Sequence, residues 1–312
     1  MKTNNELIPI FFASNNNYVP YLDVAITSIL KNASKEYDYE ITILNTGIDT
    51  LHQDILSRHS SKNVTIKFFD VESALAPIKE KLRDVHYFTL AAYYRLFIEK
   101  LFPQYDKALY LDCDIVVCGD ISQLFNTNLE DKLVGAINEQ NCRKAPLFTR
   151  YINKVTGIDP YKYFNSGVLV LNLKEIRKFN LLDKFIYLLT TYNFDTVMPD
   201  QDYLNILCKD RVKLIPNGWN YEAVNDKLEG KLYLRHYALG QKPWFFKDMQ
   251  DGQIWWYYAK ESAYYNKLLN DLNNFTEEDA RKSEEGTFKL VQHAAAIINS
   301  KKTFKSVLFD KK

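Results

Sequence analysis

The chain has 312 residues, enough to bury a sizeable core as one large domain or two small ones. Its charges nearly cancel, with 40 Lys and Arg against 39 Asp and Glu, so no overall positive field attracts nucleic acid. A hydrophobic share of 46% excludes a disordered or fibrous chain. We therefore expect a globular protein without a nucleic-acid partner.

The cysteines and the apolar runs indicate the cellular compartment of the protein. The four cysteines form no C-x-x-C pair, which indicates neither a zinc site nor a disulfide framework. The apolar run at residues 7–13 is short for a secretory signal and fits a first strand better. No stretch reaches the roughly 18 apolar residues of a membrane span. These features predict a cytoplasmic protein that touches a membrane only peripherally.

Strand-like and helix-like segments alternate through the first 140 residues. Runs rich in β-branched and aromatic residues predict strands at 8–13, 40–46, 64–71, 108–117 and 133–137. Segments between them predict helices at 18–32, 50–59 and 90–102. This alternation predicts an α/β fold with a mostly parallel, doubly wound sheet, in which ligands bind beyond the carboxyl ends of the strands.

The later segments extend the same pattern. We predict a helical stretch near 143–157, a strand at 167–173, one helix across 174–192, and strands at 212–215 and 231–237. The segment 289–312 predicts a helix with a basic tail, because residues 301–312 contain five lysines and one aspartate. We place a boundary near residue 250, between a main domain with halves at about 1–125 and 126–250 and a helical, aromatic and basic extension at 251–312.

The glycines exclude the usual loops that bind phosphate. The chain has ten glycines, none within a glycine-rich loop of the Rossmann or Walker type. A phosphorylated ligand would therefore need its charge neutralised by another group, and a metal ion is the obvious substitute.

The segment L-Y-L-D-C-D-I-V-V at 109–117 offers a place for such a metal. Side chains at i and i+2 of a strand lie on one face about 6–7 Å apart, so Asp112 and Asp114 are expected to converge on one cation. Carboxylates suit magnesium or manganese better than a thiolate-type zinc site does. A single D-x-D is a weak motif, and a solvated strand end is the alternative interpretation.

Other polar residues have both a functional and a structural interpretation. Asn165 opens an N-S-G tripeptide, which marks either close backbone approach to a ligand or a plain turn. Asp200 is expected to cap a helix and Asp202 to be a first-turn acid. Arg95 lies off the apolar stripe of its helix, which predicts a surface ion pair with Glu99.

Six short motifs occur in a fixed order along the chain. They are A-S-x-x-x-Y from Ala13, Y-x-R ending at Arg95, L-Y-L-D-x-D, F-N-S-G-V-L, D-Q-D, and H-x5-K-P-W from His236. Together they resemble the family 8 glycosyltransferases, retaining enzymes that include bacterial lipopolysaccharide galactosyl- and glucosyltransferases and relatives of glycogenin. The likeness covers about residues 7–246. It implies a GT-A fold, in which a Rossmann-like nucleotide-sugar half is fused to an acceptor half.

The resemblance also implies a role for individual residues. Asp112, Asp114 and His236 would hold a divalent metal, usually manganese in this family or else magnesium, which bridges the diphosphate of a UDP-sugar. Lys242 would pair with the phosphates, and Arg95 with the donor sugar or the diphosphate.

The remaining implied roles concern the sugar and the nucleotide. Asn165 and Asp200 would contact sugar hydroxyls, and Gln201 would lie beneath the anomeric carbon. Because consecutive helix side chains diverge by about 100°, Asp200 and Asp202 are expected to point away from that carbon. The other residues implied to contact the nucleotide are Ala13, Asn15, Asn17, Tyr18, Cys113 and Gly240.

Two positions depart from the family's pattern. Asn15 stands where the family usually has an aspartate that accepts a hydrogen bond from uracil; an asparagine carbonyl can also accept it, without charge assistance. Leu239 stands three residues after His236, where the family normally has glycine, and Gly240 follows. This shift affects the expected geometry of the loop on the phosphate side.

We therefore predict metal-dependent, retaining transfer of a hexose from UDP-glucose or UDP-galactose to a cell-surface glycan, a lipopolysaccharide-type acceptor or a glycoprotein. A sugar-nucleotide pyrophosphorylase would need a glycine-rich loop near the start, and residues 1–46 contain no glycine. A catalytically weak or inactive relative that binds glycans or nucleotide-sugars is the remaining alternative, which Asn15 and Leu239 keep open.

Overall fold

The computed structural model describes residues 5–82, 90–222 and 227–310. A seven-stranded sheet of order β3-β2-β1-β4-β7-β6-β8 forms its centre, and β5 and β9 form a second, two-stranded sheet. The strands are Glu6–Ala13 (β1), Tyr37–Asn45 (β2), Val64–Asp70 (β3), Ala108–Leu111 (β4), Ile115–Val117 (β5), Val134–Ala136 (β6), Val168–Leu171 (β7), Val212–Leu214 (β8) and Leu234–His236 (β9). Within the large sheet only β7 runs antiparallel to its neighbours. The prediction of an α/β fold with a mostly parallel sheet is confirmed.

Helices connect and cover these strands. The α-helices are Val19–Asn32 (α1), Thr50–Ser57 (α2), Glu72–Leu75 (α3), Ile98–Leu101 (α4), Ile121–Phe125 (α5), Pro146–Tyr151 (α6), Leu173–Phe179 (α7), Leu181–Thr191 (α8), Pro199–Leu207 (α9), Gly252–Ala259 (α10), Tyr265–Asn274 (α11) and Glu277–Ile297 (α12). Residues Leu90–Phe97, before α4, form a 3₁₀-helix. Within the described ranges, no helix has the length and apolar character needed to cross a membrane.

The continuous apolar character of β1 reflects burial on both faces of the sheet. In β1, Ile8, Ile10 and Phe12 enter one hydrophobic core, whereas Phe11 enters the core on the opposite face. All four side chains are fully buried. A strand covered on both sides needs no polar alternation, which explains why these runs were recognisable.

Two predicted elements are interrupted in the structure. The single strand at 108–117 is wrong: β4 pairs with β7, whereas β5 pairs with β9, so the chain changes sheets at 112–114. The single helix at 174–192 is also wrong, because Asn180 has a φ of 56° and separates α7 from α8. Asparagine tolerates this left-handed conformation better than most residues.

The C-terminal segment also differs from its prediction. Helix α12 begins earlier than expected, with a capping box formed by Thr276 and Asp279, and it ends at Ile297, before the basic tail. Phe304 is fully buried, and its ring centroid lies 4.1 Å from that of Phe194. Residues 301–310 are therefore anchored to the core, and residues 311–312 lie outside the described residues. The boundary near 250 stays a prediction.

Candidate active site

The change of sheets after β4 places two carboxylates at the carboxyl end of the parallel strands. The chain passes from β4 to β5 through Asp112, Cys113 and Asp114. In the small sheet the antiparallel register pairs Ile115 with His236. This pairing brings a histidine from more than 100 residues further along the chain beside the two carboxylates.

Asp112, Asp114 and His236 can share one metal ion. One ligand atom from each side chain lies within 4.8 Å of the others. His236 Nε2 is 3.2 Å from Asp114 Oδ1 and 4.0 Å from Asp112 Oδ2. Two carboxylates and one imidazole form a donor set that suits manganese or magnesium.

The neighbours of His236 fix which ring nitrogen faces the carboxylates. Asn220 Nδ2 donates to Asn165 Oδ1 at 3.0 Å, which leaves Asn220 Oδ1 to accept from His236 Nδ1 at 2.9 Å. We therefore assign the proton to Nδ1, so the lone pair of Nε2 faces the carboxylates. An outer partner of this kind commonly orients a metal-binding histidine.

Gly167 shapes the other side of this group. A Cβ atom at this position would lie 2.5 Å from Asp112 Oδ2 and 2.5 Å from His236 Cε1, distances that real side chains do not reach. The glycine backbone instead accepts a hydrogen bond from Asp112 N at 2.8 Å. Gly167 thus allows close packing of the backbone against the candidate metal ligands, and the approach of this tripeptide to a bound ligand stays a prediction.

Arg95 is buried, contrary to the predicted surface ion pair with Glu99, which is wrong. Its Nη2 lies 2.9 Å from Asp112 Oδ1 and its Nε lies 3.2 Å from Asp200 Oδ2. The guanidinium also stacks on the Tyr110 ring, 4.1 Å from its centroid. Burial alone would lower the pKa of Arg95, but Asp112 and Asp200 outweigh it and raise that pKa.

Lys242 reaches the same group from the loop after β9. Its Nζ lies 2.5 Å from Asp114 Oδ2 and donates to Tyr237 O at 2.6 Å. Burial would raise the pKa of Asp114, but the Lys242 ammonium group opposes it and holds the pKa well below its ordinary value. Asp114 is therefore ionised across the physiological range.

An outer cleft of about 320 Å³ borders these carboxylates. It is lined by Ala13, Ser14, Asn15, Tyr18, Ala91, Ala92, Arg95, Tyr110, Asp112, Cys113, Asp114, Leu239 and Lys242. Asn15 Oδ1 accepts from Tyr18 N at 3.2 Å and has a second lone pair for a ligand. Among the described residues, Asn17 and Gly240 do not line the cleft, and their roles stay predictions.

A smaller inner pocket of about 90 Å³ also borders Asp112 and Asp114. Its other lining residues are Arg95, Glu139, Cys142, Asn165, Ser166, Gly167, Met198, Asp200, Gln201, Glu222, His236, Ala238 and Leu239. It therefore brings together Asn165, Asp200 and Gln201, which the sequence singled out separately. A larger cavity of about 420 Å³ lies beside β8 and contains none of the predicted site residues.

Helix α9 supplies two side chains to the inner pocket and directs a third away. Ser166 Oγ donates to Asp200 Oδ2 at 2.9 Å, and Ser166 N donates to Gln201 Oε1 at 2.9 Å. Asp200 therefore does not cap the helix, because it lies inside α9 and Met198 is the residue that precedes the helix. It also does not point away from Gln201, since both side chains accept hydrogen bonds from Ser166. Asp202 does point away, because it accepts from two buried tyrosines. Burial raises the pKa of Asp202 to about 6.

The sequence analysis missed a pair of buried carboxyls in the inner pocket. Asn165 Nδ2 donates to Glu139 Oε2 at 3.0 Å and to Glu222 Oε2 at 3.2 Å. Burial and the nearby Glu139 raise the pKa of Glu222 well above its usual range. Glu139 follows a predicted strand, so the rule about carboxyl ends of strands would have found it. Glu222 lies in a loop and carries no such signal.

Leu239 takes an unusual backbone conformation beside both cavities. Its φ is 66°, in the left-handed region that glycine adopts readily and leucine does not. The loop thus has a glycine-like geometry at the position where the sequence carries leucine.

The candidate cation site lies beside a cleft and a smaller pocket at the carboxyl edge of an α/β sheet, which is where ligands bind in folds of this class. The model of the Glycosyl transferase family 8 matches residues 9–248. The chain belongs to this family, and the resemblance found in the sequence is confirmed.

Relatives in bacteria agree with this assignment. A putative glycosyltransferase of Haemophilus influenzae is 28% identical over 254 residues, which cover 78% of this chain and 74% of that protein. A lipopolysaccharide 1,2-glucosyltransferase of Escherichia coli K12 is 27% identical over 261 residues, or 77% and 73% of the two chains.

Solved structures show the same fold. The galactosyltransferase LgtC in complex with donor and acceptor sugar analogues has a TM-score of 0.65 at 23% identity, over 82% of this chain and 96% of that one. The WbbM bifunctional enzyme has a TM-score of 0.73 at 23% identity, over 86% of this chain and 52% of that one. The expected GT-A fold is confirmed.

Proposed function

We propose that the protein transfers a hexose from UDP-glucose or UDP-galactose to a glycan or glycoprotein acceptor and retains the α-linkage. Membership of a sugar-transferring family supports the reaction class. The observation that carries the finer proposal is the position of Asp112, Asp114 and His236, which border the inner pocket, with both carboxylates also lining the outer cleft. A donor that spans both cavities would have its scissile bond at this junction.

The outer cleft would hold the UDP. The second lone pair of Asn15 Oδ1 would accept from uracil, and Lys242 would pair with the diphosphate. A manganese or magnesium ion held by Asp112, Asp114 and His236 would act as a Lewis acid on the departing diphosphate. The chain has no glycine-rich loop to bind phosphate, which supports a role for the ion and Lys242 in neutralising the charge of the diphosphate.

The inner pocket would hold the sugar, with Asn165, Asp200 and Arg95 near its hydroxyls. The acceptor oxygen would bond to the anomeric carbon on the face from which UDP departs. The bond from that carbon to the diphosphate oxygen would break, and the acceptor proton would pass to a phosphate oxygen of UDP. Two features support this front-side route over a covalent intermediate. Gln201 is a neutral amide, and the Asp200 carboxylate is engaged by Arg95 and Ser166.

Release of UDP from each donor tests the function without knowledge of the acceptor. The wild-type protein should hydrolyse UDP-glucose or UDP-galactose slowly in the presence of manganese and stop when EDTA is added. Calorimetry with UDP and manganese provides the parallel measurement of binding. UDP binding without turnover of either donor would instead identify the chain as an inactive nucleotide-sugar-binding relative.

The hydrolysis product also tests the stereochemistry. We expect Gln201→Ala to reduce turnover by an amount equivalent to one lost polar contact, about 1–3 kcal/mol. The first sugar released should still be the α-anomer, because Gln201 would orient the sugar without bonding to it. Proton NMR in the first minutes, before the anomers equilibrate, measures this. Early β-anomer, or a glycosyl adduct on Gln201 or Asp200 by mass spectrometry, would contradict the front-side route.

We also propose that the protein works in the cytoplasm at the inner face of the membrane, which it touches through basic residues of the C-terminal tail. Lys301 and Lys302 are exposed, and a lysine near an anionic surface contributes about 1 kcal/mol. Point substitutions are the appropriate test, because truncation would remove Phe304 from the core.

The double variant Lys301→Gln, Lys302→Gln should therefore bind anionic vesicles more weakly, by about fivefold for each lysine. Vesicle sedimentation at low salt measures the change. The matched control is Lys35→Gln, Lys62→Gln, which removes two exposed lysines elsewhere and should bind like the wild type. Equal loss in both double variants would indicate a nonspecific charge effect and contradict a role for the tail.

A further inference from the structure

Leu239 has a strained backbone conformation, and its side chain packs in neither hydrophobic core of the described residues. Among the described residues, the other non-glycine residues with positive φ all carry polar side chains: Glu130, Asn180, Asn193, Asp210 and Asp251. Leucine is poorly suited to this conformation, because its Cβ approaches the following carbonyl oxygen. Strain of this kind persists only where the surroundings hold it, and it is concentrated at functional sites.

Several contacts hold the loop that carries Leu239. Lys242 Nζ donates to Tyr237 O at 2.6 Å and so closes the loop on itself. Tyr237 N donates to Asp114 O at 2.9 Å, and Ser283 Oγ on α12 donates to Gly240 O at 3.4 Å. The conformation of Leu239 is therefore imposed from both sides of the loop.

Packing does not account for the leucine side chain. It is 37% exposed, and it belongs to neither hydrophobic core among the described residues. It lines both the outer cleft and the inner pocket. An apolar side chain thus borders both cavities, three residues after the candidate metal ligand His236.

We propose that Leu239 shields the anomeric carbon of the bound donor from water, and so determines that the sugar goes to the acceptor instead of being hydrolysed. This inference rests on the proposed function. In transfer, the acceptor oxygen bonds to the anomeric carbon while the carbon–diphosphate bond breaks and the proton passes to UDP. In hydrolysis, a water oxygen replaces the acceptor oxygen, and the products are free sugar, UDP and a proton. The two reactions differ only in which nucleophile reaches the carbon.

Two substitutions separate the side chain from the backbone strain. Leu239→Gly removes the side chain and relieves the strain, whereas Leu239→Ala removes most of the side chain and keeps a Cβ in the left-handed conformation. Asn180→Gly is the matched control, because it changes a left-handed residue between α7 and α8 that lines neither cavity.

The measurement is the rate of UDP release at saturating UDP-glucose or UDP-galactose, with manganese and without acceptor. Both Leu239 variants should hydrolyse the donor about tenfold faster than the wild type, because water gains access to the reacting carbon. The Asn180→Gly variant should match the wild type. Thermal unfolding confirms that each variant is folded under the assay conditions.

Three results would overturn the inference. Unchanged or slower hydrolysis in both Leu239 variants, with an active wild type, would remove the shielding role and leave the proposed function intact. Faster hydrolysis in Leu239→Gly but not in Leu239→Ala would show that relief of backbone strain causes the effect, and not loss of the side chain. If neither the wild type nor the variants release UDP from either donor, the proposed function fails, and the inference fails with it.

Discussion

Asp114→Asn should reduce the release of UDP from the donor by more than about 100-fold, as expected when a principal stabiliser of developing charge is lost. The substitution preserves the shape of the side chain and cancels its charge. Asp112→Asn should have an effect of the same order, because both carboxylates belong to one candidate ion site. Steady-state turnover at several manganese concentrations measures the loss, and manganese binding measured by paramagnetic resonance should weaken in parallel.

Asp120→Asn provides the matched control for these two variants. Asp120 lies in the same stretch of chain but caps α5, where it accepts from Ser122 N at 3.0 Å. Asparagine is an equally good cap, so turnover should not change. Wild-type turnover that persists in EDTA would contradict the metal requirement, and loss of activity with unchanged manganese binding would contradict the assignment of the carboxylates.

The strands around the site were predictable because a buried strand needs apolar residues, which form a recognisable run in the sequence. β1 and β2 are largely buried and appear as mostly apolar runs with clear ends, whereas the edge strand β3 alternates buried and exposed residues at its start. The D-x-D segment was also predictable, since acids that follow a buried strand are conspicuous. What the local pattern could not supply was the exchange of partners between β4 and β5, because strand pairing depends on residues far along the chain.

Arg95 shows how a helix buried on all sides hides a functional residue. At 3.6 residues per turn Arg95 lies off the apolar stripe of its segment, which predicts an exposed side chain. In the structure this segment is a 3₁₀-helix whose last five residues are all buried: Tyr93, Tyr94, Arg95, Leu96 and Phe97. Five successive buried residues leave no face of that stretch to solvent, so the stripe does not separate an interior side from an exposed one. The carboxylates that pair with Arg95, Asp112 and Asp200, lie elsewhere in the chain.

Glu222 and Asn220 were unpredictable for another reason. Both are fully or almost fully buried, but they follow a short 3₁₀-helix in a loop without periodicity. Their importance comes from partners distant in sequence, His236 and Asn165. The motif order singled out Asp112, Asn165 and His236, which the structure brings together, whereas only the fold shows the hydrogen bonds that orient them.

The buried position of Arg95 gives the second large expected effect. Arg95→Met should lower the free energy of unfolding by about 3–5 kcal/mol at neutral pH, the range found when one partner of a buried ion pair is removed. The loss arises because Asp200, 1% exposed, keeps its charge without the guanidinium that compensates it. Donor turnover should fall as well, since Arg95 lines both cavities. Arg281→Met is the control: Arg281 pairs with Glu278 on the surface, and the change should be within about 0.5 kcal/mol.

The pH dependence separates an uncompensated charge from a simple packing defect. Burial already raises the pKa of Asp200 in the wild type, although Arg95 opposes the shift; without Arg95 that pKa should rise further. A carboxyl whose folded pKa is raised binds its proton more tightly in the folded state, so it favours folding at low pH and loses this contribution as the pH rises. The stability deficit of Arg95→Met, which is its loss of unfolding free energy relative to the wild type, should therefore be largest at neutral pH. It should shrink as the pH falls towards the ordinary carboxyl range near about 4. Denaturant unfolding of both proteins across this range measures the deficit. A deficit that stays constant with pH would assign the loss to packing alone and contradict the role of Arg95 as the counter-ion of Asp200.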